Sequence, residues 1–327
     1  MKTKGVWATA MTAVVAIAFV LMAGQAAAAP GVSATHASLQ KAPTAAGPSA
    51  GMGGMAMPSI APKTTVMSLC AMGVYGPGGI YPISKKAAYV ENWSTGDITA
   101  CGSGIATTIA TPPSGYSAEG YYGLAGVKDS GKLDLILLSF EVPGGYYCLG
   151  ASSSGCASTA AFVLPSTFCS SEPYGFCNPD GVVLSKNLAF TYVDVVNQQM
   201  VSCTAYATSC VVDAASSAFS GYKPVNIAQL GSKLAVSDSS CSGLVWEGST
   251  TSMSVVASIE DSLQGIAFHS KVLYVADDGS CTDTAAHIIN LKTGASLPTP
   301  LTAPDQIVGL DSDLQFGSWD TGEVFSV

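Results

Sequence analysis

The chain has 327 residues, a formal net charge of −9 and only 11% charged side chains, and its thirteen basic residues are all lysine. A nucleic-acid partner is not expected, because phosphate and base recognition lean on clustered basic charge and on the planar arginine fork. Small neutral residues must cover much of the surface, so few carboxylates are available to be lost by protonation, which suits an acidic or harsh exterior.

Lys2 and Lys4 precede an uncharged apolar run from Gly5 to Gly24, which ends in Gln25-Ala-Ala-Ala-Ala29-Pro30. Small residues at the end of the run, with no basic stop-transfer cluster after it, read as a cleaved signal peptide over residues 1–29. Cleavage leaves 11 lysines against 22 acids and no membrane span. Residues 30–64 are rich in Ala, Pro, Gly and Met and lack any period, which predicts a flexible tether. Its Met52, Met55 and Met57, with His36 upstream, are soft donors of the kind that suit Cu(I).

From Thr65 to Val327 the pattern changes to short apolar runs of strand length closed by Gly, Ser, Asp or Pro. A turn recurs at Ser84-Lys85, Ser130-Gly131-Lys132, Ser185-Lys186, Ser232-Lys233, Ser270-Lys271 and Ser312-Asp313. An apolar strand follows each: Ala87–Val90, Leu133–Leu138, Leu188–Val193, Leu234–Val236, Val272–Ala276 and Leu314–Phe316. The spacing is close to the ~40–45 residues of a four-stranded propeller blade, so six turns predict six blades. Trp93-Ser-Thr-Gly96 matches Trp319-Asp-Thr-Gly322, so the last blade is incomplete at the C-terminus. The stretch Thr65–Val74 is the expected donor of its missing strand, because a ring must close to hide its edges.

Five acids stand near strand ends, Glu91, Asp194, Asp238, Asp277 and Asp320. Either they converge on one ring around the axis and hold a divalent cation such as Ca²⁺, or each accepts backbone N–H groups in its own turn. No nucleophile motif is present, and His269 and His287 lack a visible partner, so both read as structural. Tyr116, Tyr121, Tyr122, Tyr146 and Tyr147 are candidates for stacking on sugars or a protein, or for filling gaps between blades. Asn92-Trp93-Ser94 is a glycosylation sequon.

All ten cysteines follow the signal, and an even number in an exported chain predicts disulfides. Cys148–Cys156 and Cys203–Cys210 would close equivalent hairpins, and Cys169–Cys177 the insertion between Pro165 and Pro179. Cys241 and Cys281 fall at matching places in adjacent blades, which leaves Cys70–Cys101 to join the closing strand to the first blade.

The fifth unit, Gly265-Ile-Ala-Phe-His-Ser-Lys-Val-Leu-Tyr-Val-Ala-Asp277, resembles a repeat of the NHL and SMP-30 group of six-bladed propellers. The units ending Tyr192-Val-Asp194 and Tyr89-Val-Glu91 follow it loosely. The basic residue that usually follows the aspartate in that group is missing, so its RNA-binding members offer no guide. The resemblance to the group's lactonases and gluconolactonases implies one metal in the central channel, held by acids and amides, polarising a substrate carbonyl. Since propellers host unrelated functions, the principal expectation is a non-catalytic extracellular recognition or scaffold module for a protein or carbohydrate ligand. A metal-dependent lactonase-like hydrolase is the alternative.

Overall fold

The computed structural model describes residues 66–327, apart from 74–75, 115–120, 140–143, 166–178, 282–285, 298, 300–306, 309–311 and 320. They belong to one compact unit, Ser59–Val327. The first strand is β1 (Met67–Ala71). The first blade follows as β2 (Pro77–Ser84), β3 (Ala87–Asn92), β4 (Ile98–Gly102) and β5 (Ile105–Ala110). The second is β6 (Tyr121–Asp129), β7 (Lys132–Ser139), β8 (Gly144–Leu149) and β9 (Ser158–Val163). The third is β10 (Pro179–Leu184), β11 (Phe190–Asp194), β12 (Gln199–Cys203) and β13 (Cys210–Val212). The fourth is β14 (Pro224–Leu230), β15 (Lys233–Asp238), β16 (Leu244–Ser249) and β17 (Ser252–Ser258), and the fifth is β18 (Leu263–His269), β19 (Val272–Asp277), β20 (His287–Asn290) and β21 (Ala295–Leu297).

The sixth blade is composite. Its strands β22 (Ile307–Val308), β23 (Gln315–Ser318) and β24 (Glu323–Ser326) come from the C-terminus, and β1 completes the sheet from the N-terminus, antiparallel to β24. Six four-stranded antiparallel blades closed in this way make a six-bladed β-propeller, as the turn spacing predicts. Trp93 and Trp319 meet edge-on, ring centroids 5.1 Å apart, where the last blade adjoins the first. Gly96 and Gly322 end the same turn in the two blades with φ of 68° and 71°, a conformation that other residues adopt only under strain.

Each blade is sandwiched between two others, so its middle strands are buried on both sides. Leu135, Ile136, Leu137 and Leu138 of β7 are consecutive and all fully buried, where a one-faced sheet would alternate. The same geometry decides the fate of Tyr146 and Tyr147. Both are buried between blades, and their hydroxyls donate to Gly96 O at 2.8 Å and Leu188 O at 2.9 Å. They fill gaps and do not stack on a ligand. Tyr116 and the side chains of Tyr121 and Tyr122 lie outside the described residues.

The innermost strands approach one another through a repeated glycine. A Cβ on Gly123 would stand 2.7 Å from Asp180 O, and one on Gly181 2.6 Å from Asn226 Cα. Gly79, Gly123, Gly181 and Gly265 occupy one register position, with Asn226 there in the fourth blade.

Four disulfides join Cys70 to Cys101, Cys148 to Cys156, Cys203 to Cys210 and Cys241 to Cys281. Cys169 and Cys177 lie outside the described residues. Cys241–Cys281 spans 40 residues and Cys148–Cys156 only 8. Loop entropy makes the loss from Cys241→Ala/Cys281→Ala about 4 kcal/mol and that from Cys148→Ala/Cys156→Ala about 2.5 kcal/mol. Denaturant unfolding of the two double variants measures the difference, and equal losses would show that native packing outweighs loop length.

Candidate functional site

The chain enters each blade at one end of the central channel, and the second strand returns to that end. The residues paired there are Pro77 with Asn92, Tyr121 with Ser139, Pro179 with Asp194, Pro224 with Asp238, Leu263 with Asp277, and Ile307 with Ser318. The strand-end position is thus polar in all six blades and acidic in three. A bulge follows the first residue of each of these pairs in the first five blades.

The acids at this position are engaged locally. Asp194 Oδ1 accepts from the backbone N–H groups of Val196 at 3.1 Å and Asn197 at 3.2 Å. Asp238 Oδ1 accepts from Lys223 N at 2.9 Å and Ser240 N at 3.0 Å. Asp277 Oδ1 accepts from His287 N at 2.7 Å, and the His287 ring lies 3.5 Å from the same oxygen. Burial raises the Asp277 pKa, and the His287 N–H opposes that shift. His269 sits at the opposite channel end, its Nδ1 2.6 Å from Ser312 O. Among the described residues no three His, Cys, Asp or Glu side chains come together to hold a metal ion. Asp320 lies outside those residues.

Glu91 differs from the other four. It precedes the strand-end position by one residue, in register with Val193, Ser237 and Ala276, so its side chain leaves the face of the sheet opposite to that used at the strand-end position. It is fully buried, and its Oε2 accepts from Gly79 N at 2.8 Å. Gly78 makes the space, since a Cβ there would stand 2.5 Å from that oxygen. Oε1 has no hydrogen-bond partner. Burial pushes the carboxyl well above its ordinary range, the Gly79 N–H opposes this, and Asp180 adds to it.

Asp180, which the sequence reading did not single out, occupies the bulge of β10. It is buried, its Oδ1 is also without a partner, and burial with the nearby Asp194 charge pushes its pKa well up. Two carboxyls from the first and third blades thus stand buried at the acidic mouth, each with an oxygen that no hydrogen bond satisfies and with burial favouring its protonated form. A local signal existed: Pro179-Asp180-Gly181 repeats Pro77-Gly78-Gly79 with an acid in place of the glycine at the bulge. Two more acids were missed beside the fifth blade. Asp261 accepts from Cys281 N at 3.1 Å, and Asp278 accepts from the Ser262 hydroxyl at 3.0 Å and the Gln264 amide at 3.2 Å.

Between the mouths the channel holds a cavity of 360 Å³, lined by backbone and by Ile80, Leu124, Val182, Ile227 and Ile266, and reaching Gly231 and Ser312 at the far end.

No protein-family model matches the chain, and no curated protein matches it. Solved structures match it in fold. Virginiamycin B lyase from Staphylococcus aureus aligns at 13% identity and a TM-score of 0.51, over 80% of this chain and 84% of the other. A gluconolactonase-like protein aligns at 14% and 0.52, over 80% and 90%. A Bacteroides thetaiotaomicron protein aligns at 11% and 0.56, over 80% and 75%. The chain therefore shares the propeller fold of these proteins, and at such identity the likeness concerns fold alone.

Proposed function

We propose that the protein is a secreted, non-catalytic β-propeller that serves as an extracellular recognition or scaffold module. The observation that supports this most is the use made of the recurrent acids. Asp194, Asp238 and Asp277 spend carboxylate oxygens on backbone N–H groups of their own turns or connections, which is a building role repeated blade by blade. Disulfides in the propeller fit an oxidising compartment.

One observation favours a second reading, a metal-dependent lactonase-like hydrolase. The unpartnered oxygens of Glu91 and Asp180 are buried at the acidic mouth, close enough for the two carboxyls to interact, and a divalent cation held between them would polarise a carbonyl. Elemental analysis of the purified protein separates the readings. A metal-free protein that folds and melts unchanged in chelator is the expected result. One tightly held Ca²⁺ or Zn²⁺ per chain, lost in Glu91→Gln, would establish the second reading instead.

A further inference from the structure

The recurrent Ser-Lys turn has no part in the acidic mouth. Antiparallel connectivity sends the turn between the first and second strands of every blade, and that between the third and fourth, to the opposite face. There stand Lys85, Lys86, Lys132, Lys186, Lys233 and Lys271, all exposed and supplied by five consecutive blades. Lys128 and Lys292 join them, so this face carries eight of the nine described lysines. Of the described acids only Asp129, Asp134, Glu247 and Asp313 lie on that side. Glu247 is bonded to Lys233 at 2.6 Å, and Asp134 accepts from Gly150 N at 2.8 Å. The other described acids stand at the acidic end with Lys223. A chain with net charge −9 thus presents one cationic face.

Two further features belong to that face. Large apolar side chains are exposed beside the lysines: Ile83 just before Ser84-Lys85, Leu230 just before Gly231-Ser232-Lys233, and Tyr206 in the turn between β12 and β13. In addition β1 begins there, with Met67 opposite Ser326.

We propose that this face docks on an anionic lipid bilayer, with its lysines among the headgroups and Ile83, Leu230 and Tyr206 entering the interface. Lysine clusters gain from the surface potential of anionic lipids, and apolar tips add interfacial burial that a soluble polyanion does not offer. Strands of five to eight residues set the two faces roughly 20 Å apart. That exceeds twice the ~8 Å Debye length at physiological salt, so the distant acids are screened from the membrane. The absence of arginine still argues against nucleic acid as the occupant.

Amine-reactive labelling of the full chain, read by mass spectrometry, tests the docking site by site. With mixed phosphatidylglycerol–phosphatidylcholine vesicles, labelling is expected to fall about fivefold or more at Lys85, Lys86, Lys132, Lys186, Lys233 and Lys271. Lys223 should label as before, and phosphatidylcholine alone should protect nothing. The triple variant Lys85→Ser/Lys86→Ser/Lys132→Ser should melt normally and bind the anionic vesicles at least about tenfold more weakly. The proposal is overturned if Lys223 is protected equally or no lysine is protected. Protection by a soluble sulfated polysaccharide but not by vesicles would also overturn it, as would undiminished binding of the triple variant.

Discussion

Deleting residues 30–60 is expected to leave the melting temperature unchanged, whereas deletion through Val74 should abolish the cooperative transition. The first cut removes only sequence whose composition offers no core. The second removes β1, the outermost strand of the last blade, and with it Leu69 and Cys70, each 1% exposed. Burying a leucine contributes about 2–3 kcal/mol, and the Cys70–Cys101 link over 31 residues about 3.7 kcal/mol. The β1–β24 hydrogen bonds contribute about 1 kcal/mol each. Together these approach the whole stability of an ordinary domain, about 5–15 kcal/mol. The cut also exposes β24 as a raw edge beside the first blade. Calorimetry of the two truncations decides the matter, since equal melting temperatures would mean that the ring does not depend on its N-terminal strand.

Stability should be greatest in acid and decline toward neutrality. Carboxyls of the unfolded chain ionise near pH ~4. In the folded chain burial keeps Glu91 and Asp180 protonated well above that, and pushes Asp213 up to about 6. Where only the native state holds the proton, raising the pH favours unfolding, by about 1.4 kcal/mol per unit for each such group. The stabilisation is complete below the unfolded values and lost as pH rises through the folded ones. Glu91→Gln makes the neutral form permanent and keeps an oxygen for Gly79 N–H. Variant and parent should therefore melt together near pH ~4, with the variant higher by several degrees at neutral pH. A variant that melts lower at neutral pH would show that Glu91 is charged in the folded protein.

Blade number and closure were legible because they rest on local, repeated features. The Ser-Lys turns, the paired Trp-x-Thr-Gly segments and the β-branched strands each report on their own few residues. Asp194, Asp238 and Asp277 were legible as equivalents for the same reason, since each ends the strand that its turn begins. Glu91 was aligned with them one residue out of register, and a slip of one residue in a strand reverses the side to which a side chain points. Asp180 was hidden because its burial depends on a bulge in the innermost strand, which sequence alternation does not reveal. The segregation of lysines from acids was invisible because it depends on which turns share a face, a property of the topology rather than of any segment.

The composite last blade also orders events in time. Its outermost strand is made first and its other three last, so β1 waits without its partner β24 through the synthesis of five intervening blades. Long-range pairing of this kind is slow and leaves an open edge exposed meanwhile. The Cys70–Cys101 link shortens the search, because it ties β1 to β4 of the first blade well before the last one exists. A chain built in this way cannot close its ring until its last strands exist, so folding of the whole propeller waits on the end of synthesis.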